Sequence, residues 1–377
     1  MAVGASRPAL FRKRANRRFY RWLFGLYRAA FPTSAPRVPL HAASLRRVLV
    51  VQHHGVGDMI LTTPLLTFLK EQAPAAEIDV LASTRNAAVV AGDPCVARVH
   101  VHDGTWRGWM RLVPRLRARH YNAIFSGQAG NALHEGLVAS AAARRTTAKI
   151  SIWRPKRYHG LFTALPRTPR GVEQTADRLL YVAHRALGGR MPAPSVTRYA
   201  PRMPRDPAAD AAVVELLRAR AVDRYVLVNV SAHFAVRDWS PERCAAFIGL
   251  LLARHPGLSV VLTRAPRKEA QAEEVAVRAA SARVFVAPAM PLLAIASLVR
   301  GAAAVVSPDT SLVHIASACR RPVVVLYAPK LPTEIAPWLP VGVPHRVFVS
   351  RVRGSMADIP PEQVADALDE LLAESLR

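Results

Sequence analysis

Short unbroken apolar runs alternate with segments whose apolar positions recur at helical spacing, and the alternation begins abruptly at Arg46. RRVLVVQHH, residues 46–54, holds a β-branched run that reads as a strand buried on both faces. It enters GVGDMILTTPLLTFLKEQ, residues 55–72, a glycine-rich turn followed by a helix, and EIDVLAS at 77–83 is the next strand. Strand, helix, strand at this spacing predicts a βαβ unit with a parallel sheet. The series continues through a strand at 97–103, a helix at 106–120, a strand at 121–127, a small-residue helix at 129–143, a basic segment at 149–160 and a helix at 175–189. Residues 191–207 are proline-rich and show no periodicity, which predicts the connection between two domains.

A second α/β series follows. Strands are predicted at 225–232, 258–264, 283–287, 303–309 and 321–329, interleaved with helices at 211–219, 243–255, 268–280, 291–302 and 310–320, and an amphipathic helix at 360–376 ends the chain. The fold class is therefore α/β. Two parallel-sheet domains, 46–190 and 208–350, flank the linker, with a helical region at 351–377 and a distinct segment at 1–45. Loops at the carboxyl ends of the strands should face a cleft between the two.

Composition narrows the class. The 377 residues are 51% apolar, which excludes a disordered or fibrous chain, and no charge-free apolar run is long enough to span a membrane. Cys95, Cys244 and Cys319 have neither metal-like spacing nor an even count, so a reducing compartment is expected. Fifty-two basic against 26 acidic residues leave a net charge of +26, an attraction for anions at long range. The excess is sharpest at the amino terminus. There FRKRANRRFYRWLFGLYRAAF interleaves arginines with Phe11, Phe19, Tyr20 and Trp22, as a helix lying on an anionic membrane surface would, or one packed on its own domain or on nucleic acid. Gly25 and Arg28 interrupt its apolar part, which is unlike a cleaved signal.

Three polar clusters fall at the ends of predicted strands. In HHGVGDM, residues 53–59, Gly55 and Gly57 permit a tight turn and close approach of a ligand, and Asp58 stands where the turn becomes a helix. An aspartate there serves as a helix cap or as a general base for a hydroxyl in the cleft. The loop lacks the lysine of a phosphate-binding P-loop and is not a full dinucleotide fingerprint. In SPDTSLVHIASA, residues 307–318, Asp309, Thr310 and Ser311 precede a helix whose free N–H groups suit phosphate, with His314 a turn further on. In NVSAHFAVRDWSPE, residues 229–242, Ser231, His233 and Arg237 leave a buried strand, and Arg237 can pair with a diphosphate. Ser240-Pro241-Glu242 reads as a helix start, and Trp239 suits core or ligand equally.

Those three stretches, in this order and at these distances, resemble glycosyltransferase family 9, the lipopolysaccharide heptosyltransferase-like family, and the likeness extends from Arg46 to the final helix. The resemblance implies a GT-B arrangement, with an acceptor domain first and a nucleotide-sugar domain second. It implies an inverting, metal-independent transfer in which Asp58 is the base and Arg237 offsets the leaving charge. Ser231, His233, Arg237, Asp309, Thr310, Ser311 and His314 would bind the donor, usually ADP-heptose, with Glu269 toward its ribose. Gly55, Gly57, Arg85 and Gln128 would line the acceptor site. No cofactor is implied beyond the nucleotide sugar, and no Asp-X-Asp triplet offers a metal its usual carboxylate pair. Arg144, Arg145, Lys149, Arg154, Lys156 and Arg157 form a basic tract on the acceptor side, a counterpart for an anionic glycolipid such as Kdo-lipid A or core oligosaccharide.

The expected partners are then the nucleotide sugar, that glycolipid and an anionic membrane surface, with no nucleic acid, and the expected location is cytoplasmic, on the inner face of a bacterial inner membrane. Departures from the family pattern concern the donor. Arg237-Asp238-Trp239 stands where the family commonly has a lysine before an Arg-Trp or His-Trp pair, Ser311 and Ala328 replace usual glycines, and RAPRKE follows the strand at 258–264. They keep open a transferase using another nucleotide sugar in capsule or O-antigen synthesis. A catalytically inactive scaffold of glycan assembly is the remaining alternative.

Overall fold

The computed structural model describes residues 38–126, 132–152, 161–232, 238–328 and 335–374. The basic aromatic stretch of the amino terminus, Gln128, His233, Arg237, Arg154, Lys156 and Arg157 all lie outside the described residues.

Two all-parallel sheets organise the described chain. In the first, β1 (Arg47–Val51) lies between β2 (Glu77–Ser83) and β4 (Ala123–Ser126), with β3 (Arg98–His102) and β5 (Ala148–Ser151) at the edges, in the order β3-β2-β1-β4-β5. In the second, β6 (Tyr225–Asn229), β7 (Ser259–Thr263), β8 (Val284–Val286), β9 (Ala304–Pro308), β10 (Val323–Tyr327) and β11 (His345–Val349) run in the order β11-β10-β9-β6-β7-β8. Each sheet reverses direction beside its first strand, between β1 and β4 and between β6 and β9. At such a switch point the two neighbouring connections leave on opposite faces and open a crevice at the carboxyl ends of the strands.

The continuous apolar runs are explained by burial on both faces. Val48 to Val51, Val226 to Val228 and Val323 to Leu326 are almost wholly removed from water. The helices follow their strands: α1 (Val56–Ile60) and α2 (Thr63–Gln72) after β1, α3 (Trp106–Ala118) after β3, α4 (Ala132–Ala142) after β4 and α5 (Thr175–Ala186) after β5. In the second half come α6 (Pro207–Ala219), α7 (Pro241–Arg254), α8 (Glu269–Ala279), α9 (Leu292–Gly301), α10 (Ser311–Ala318) and α11 (Pro361–Glu374). The terminal helix α11 lays Val364, Leu368, Leu371 and Leu372 on the second core, and Arg254 of α7 pairs with its Asp366 and Asp369 at 2.8 Å.

Three local expectations are revised. The segment 55–72 is two helices broken at Leu61 and Thr62, because Pro64 occupies the first turn of α2 and has no N–H to extend the preceding helix. The basic segment opens as strand β5, which carries a buried Lys149 whose Nζ donates to Ser140 Oγ at 3.0 Å. HRVFV, which the apolar pattern left unassigned, is the edge strand β11.

The proline-rich connection is pinned to both sides of it. Arg202 forks onto Asp93 with two 2.8 Å bonds and also reaches Thr67, and Tyr199 donates to Glu71 at 2.7 Å. Toward the second half, Arg300 of α9 donates to Pro204 O at 2.6 Å and to Asp210 at 3.3 Å.

Candidate functional site

The turn after β1 is assembled by backbone amides and one buried side chain. Gly55 precedes α1 in an extended conformation, and its N–H donates to Asp58 Oδ2 at 3.1 Å, so the carboxylate reaches back over the helix start. A Cβ on Gly55 would lie 2.5 Å from that oxygen, so a larger residue would displace the Asp58 carboxylate from this position. Asn86, fully buried in the turn after β2, holds the same loop from below. Its amide donates to Gln52 O at 3.1 Å and Gly55 O at 3.2 Å, while its carbonyl accepts from Ser83 N at 2.8 Å. Arg85 is the exposed residue immediately before it. The sequence offered no signal for Asn86 beyond its place in a polar loop after a strand.

On the other wall of the turn are aromatic and acidic groups that the sequence did not single out. The rings of His53 and His54 are 4.4 Å apart, and His54 Nε2 is 3.8 Å from Glu135 Oε1. Glu135, buried on α4, accepts from Ser126 Oγ at 2.8 Å. Ser126 ends β4, the strand across the switch point from β1.

The second half brings its own strand ends to the crevice. Thr310 caps α10, accepting from Leu312 N at 3.2 Å, and its hydroxyl also lies 3.0 Å from Ser307 Oγ and 3.1 Å from Asn229 Nδ2. Asn229 ends β6 and Ser307 lies in β9, so this network spans the second switch point. Asp309 is half-buried, with its N–H on Leu326 O at 3.1 Å, and Ser311 is exposed at the first position of α10.

Ser231 is fully buried. Its Oγ accepts from Ala265 N at 2.9 Å, which fixes the turn after β6 to the turn after β7 and leaves the hydroxyl no open face. Asp238 accepts from Ala232 N at 2.6 Å and from Lys268 Nζ at 2.9 Å. Lys268 is thus a cation beside Asp238 which the sequence reading missed. Glu269, exposed at the start of α8, pairs with Arg264 at 3.3 Å. Trp239 packs in the core against Phe247.

A glycine makes one of the contacts between the two halves. His314, 4% exposed on α10, lies against Gly57 of α1 so closely that a Cβ there would be 2.4 Å from the ring's Cδ2. Its far side faces Trp338, ring centroids 6.4 Å apart. Burial pushes the imidazole pKa down to about 4, so the ring is neutral at pH 7, and among the described residues its Nδ1 has no hydrogen-bond partner. A second tie, Thr175 Oγ1 to Pro337 O at 2.8 Å, joins α5 to the turn carrying Trp338. The structure therefore gathers Gly55, Gly57, Asp58, Asp309, Thr310 and His314 at one seam. It sets Ser231 and Glu269 around a neighbouring turn and Arg85 on the rim.

Comparison with known proteins agrees with this architecture. The family model described as glycosyltransferase family 9 (heptosyltransferase) matches residues 109–348. Lipopolysaccharide heptosyltransferase 1 of Escherichia coli O18:K1:H7 is 27% identical over 318 residues, 76% of this chain and 87% of the relative, and that of strain K12 is equally similar. Among solved structures, a family 9 glycosyl transferase from Veillonella parvula superposes with a TM-score of 0.76 at 19% identity, covering 90% of this chain and all of the other. The E. coli heptosyltransferase WaaC with ADP gives 0.66 at 21% identity, covering 86% and 99%.

Proposed function

The chain belongs to glycosyltransferase family 9, and on that premise we propose that it transfers a heptose from ADP-heptose to a lipopolysaccharide core acceptor. It is a glycosyltransferase of GT-B fold, and the observation that carries the finer reading is the Gly57–His314 contact. Through it the helix after β9 abuts the turn bearing Asp58, so a donor held at the second switch point and an acceptor at the first would share one small space.

Asp58 is the base in this reading. Its carboxylate takes the proton of the acceptor hydroxyl as that oxygen bonds to the anomeric carbon, and the bond from that carbon to the diphosphate oxygen breaks with its electron pair going to ADP. Attack and departure on opposite faces make the transfer inverting. The leaving charge is met by Arg237 and by the amino-terminal N–H groups of α10 beside Asp309, Thr310 and Ser311, without a metal ion. Glu269 lies toward the ribose. His233 completes the diphosphate loop, Ser231 shapes its exit, and Gly55, Gly57, Arg85 and Gln128 border the acceptor. The support for the nucleotide is that the relatives are heptosyltransferases and that one solved relative is described with ADP.

The acceptor side suits an anionic glycolipid such as Kdo-lipid A, and the enzyme would work at the inner face of the membrane that holds it; Arg144 and Arg145, expected on that side, instead precede β5 at the amino ends of the strands, away from the crevice. The basic aromatic segment before residue 38 is assigned to that anionic surface. A donor other than ADP-heptose is favoured by the departures from the family pattern, Ser311 and Ala328 where glycine is usual, Arg237-Asp238-Trp239, and RAPRKE after β7. Calorimetric titration with ADP, GDP, UDP and CMP separates the two readings. Selective ADP binding is expected, and preference for another nucleotide would move the enzyme to a different polysaccharide.

A further inference from the structure

Helix α3 turns an unusual face to water. Trp106 is 75% exposed and Met110 59%, and they share a side of the helix with Pro114 and with Arg107, Arg111 and Arg115, all exposed. The spacing of three and four residues makes this one continuous strip. The helix contains no acidic residue to neutralise it. Its opposite side is well packed, with Leu112 and Leu116 buried in the first core and the Trp109 ring 4.1 Å from His102. Nothing in the fold of the described chain therefore explains the exposed tryptophan and methionine, which an interior-facing helix would bury.

The strip lies close to the acceptor side of the cleft. His102 approaches His53 edge-on at 6.5 Å, and His53 stacks with His54 in the turn that leads to Asp58. We propose that this face of α3 rests on an anionic phospholipid bilayer, with Trp106 and Met110 at the level of the headgroups and Arg107, Arg111 and Arg115 on the lipid phosphates. An indole flanked by guanidinium groups has an apolar body and a charged rim, which suits the boundary of a bilayer and neither its core nor bulk water. The position would present the acceptor side of the crevice to the membrane plane. It rests on the proposed function only in that a glycolipid acceptor stands in the same plane.

The test is co-sedimentation of the full chain with unilamellar vesicles of phosphatidylcholine alone or with phosphatidylglycerol added. Two double variants are compared, Trp106→Ser with Met110→Ser, and Arg107→Gln with Arg111→Gln. The wild type is expected to sediment with the anionic vesicles and not with the neutral ones. Arg107→Gln with Arg111→Gln should lower the partition coefficient by about twenty-five-fold, since each arginine near such a surface is worth roughly a fivefold gain, and Trp106→Ser with Met110→Ser should lower it by about tenfold through the lost apolar contact. Thermal melting and transfer to a deacylated, water-soluble acceptor should be unchanged. Residues before 38 are present in every protein, so the difference reports on α3. Undiminished sedimentation by both variants overturns the proposal. So does a wild-type dimer in sedimentation velocity that Trp106→Ser with Met110→Ser converts to monomer, because the strip would then cover a second copy. Absence of transfer by the wild type to the soluble acceptor would count against the sugar-transfer reading alone, and the vesicle result would still decide the surface.

Discussion

Gly57 and His314 are far apart in the chain and in contact in space, and the fit leaves no room for a methyl group. Gly57→Ala should therefore force the ring or the α1 turn to move, at a stability cost of about 1–3 kcal/mol, and transfer should fall with it. His314→Ala alone leaves a cavity, but in combination with Gly57→Ala it removes the clash. A thermodynamic cycle over the four proteins should show a coupling of roughly 0.5–3 kcal/mol, and strict additivity in urea melts would mean the contact carries nothing. The same histidine predicts a pH dependence. Its folded pKa is lowered to about 4, whereas an unfolded histidine titrates near 6.5. Above 6.5 neither state binds the proton and the native stability is complete. As the pH falls from 6.5 toward 4 the unfolded chain is protonated first, so stability is lost across that window, by about 2 kcal/mol between pH 7 and pH 5. His314→Gln should flatten this slope in melts at the two pH values.

At the scale of elements, the chain leaving the carboxyl end of helix α3 is tied to the first sheet by a buried carboxylate. Asp79 of β2 receives bonds from Arg119 Nε at 2.9 Å and the Tyr121 hydroxyl at 2.8 Å, and lies 3.2 Å from His100 Nε2. Burial alone would raise its pKa, but the hydrogen bonds from His100, Arg119 and Tyr121 outweigh burial and the net displacement is downward. Its stabilisation is accordingly present above the unfolded carboxylate range and lost as the pH falls through the lower folded value. Asp79→Ala should cost about 3 kcal/mol at pH 7, since it strands Arg119 and the Tyr121 hydroxyl, and guanidinium melts would show it.

This cluster was invisible in the sequence, where Asp79 interrupts an apolar run and its partners lie on other elements. The central strands were legible because parallel strands covered on both faces admit few polar residues, as in Val48 to Val51. β5 escaped because Lys149 lies within it, its ammonium donating to Ser140 on α4, and β11 because it is an edge strand with half-exposed side chains. The positions of Gly55, Asp58 and Thr310 at strand-to-helix turns could be read from spacing. Asn86 and Lys268 could not, since their roles depend on turns that only the sheet order brings together.

For the molecule as a whole, the two sheets reverse direction at β1/β4 and β6/β9, and every cluster picked out by its polar residues follows one of those strands or a neighbour. The seam between them includes two neutral contacts, Gly57 on His314 and Thr175 on the Pro337 carbonyl. The net charge of +26 over the whole chain attracts anions at long range. The central claim is sugar transfer with Asp58 as base, and mass spectrometry of Kdo-lipid A incubated with ADP-heptose tests it most directly, using the wild type and Asp58→Asn. Asparagine can still accept the Gly55 N–H, so the fold and the affinity for ADP should survive while proton removal does not. The account predicts acceptor heavier by one heptose with the wild type, and loss of at least about a hundredfold in rate with the variant. Transfer by Asp58→Asn at the wild-type rate, or an acceptor left unmodified by a wild type that binds ADP, would contradict it.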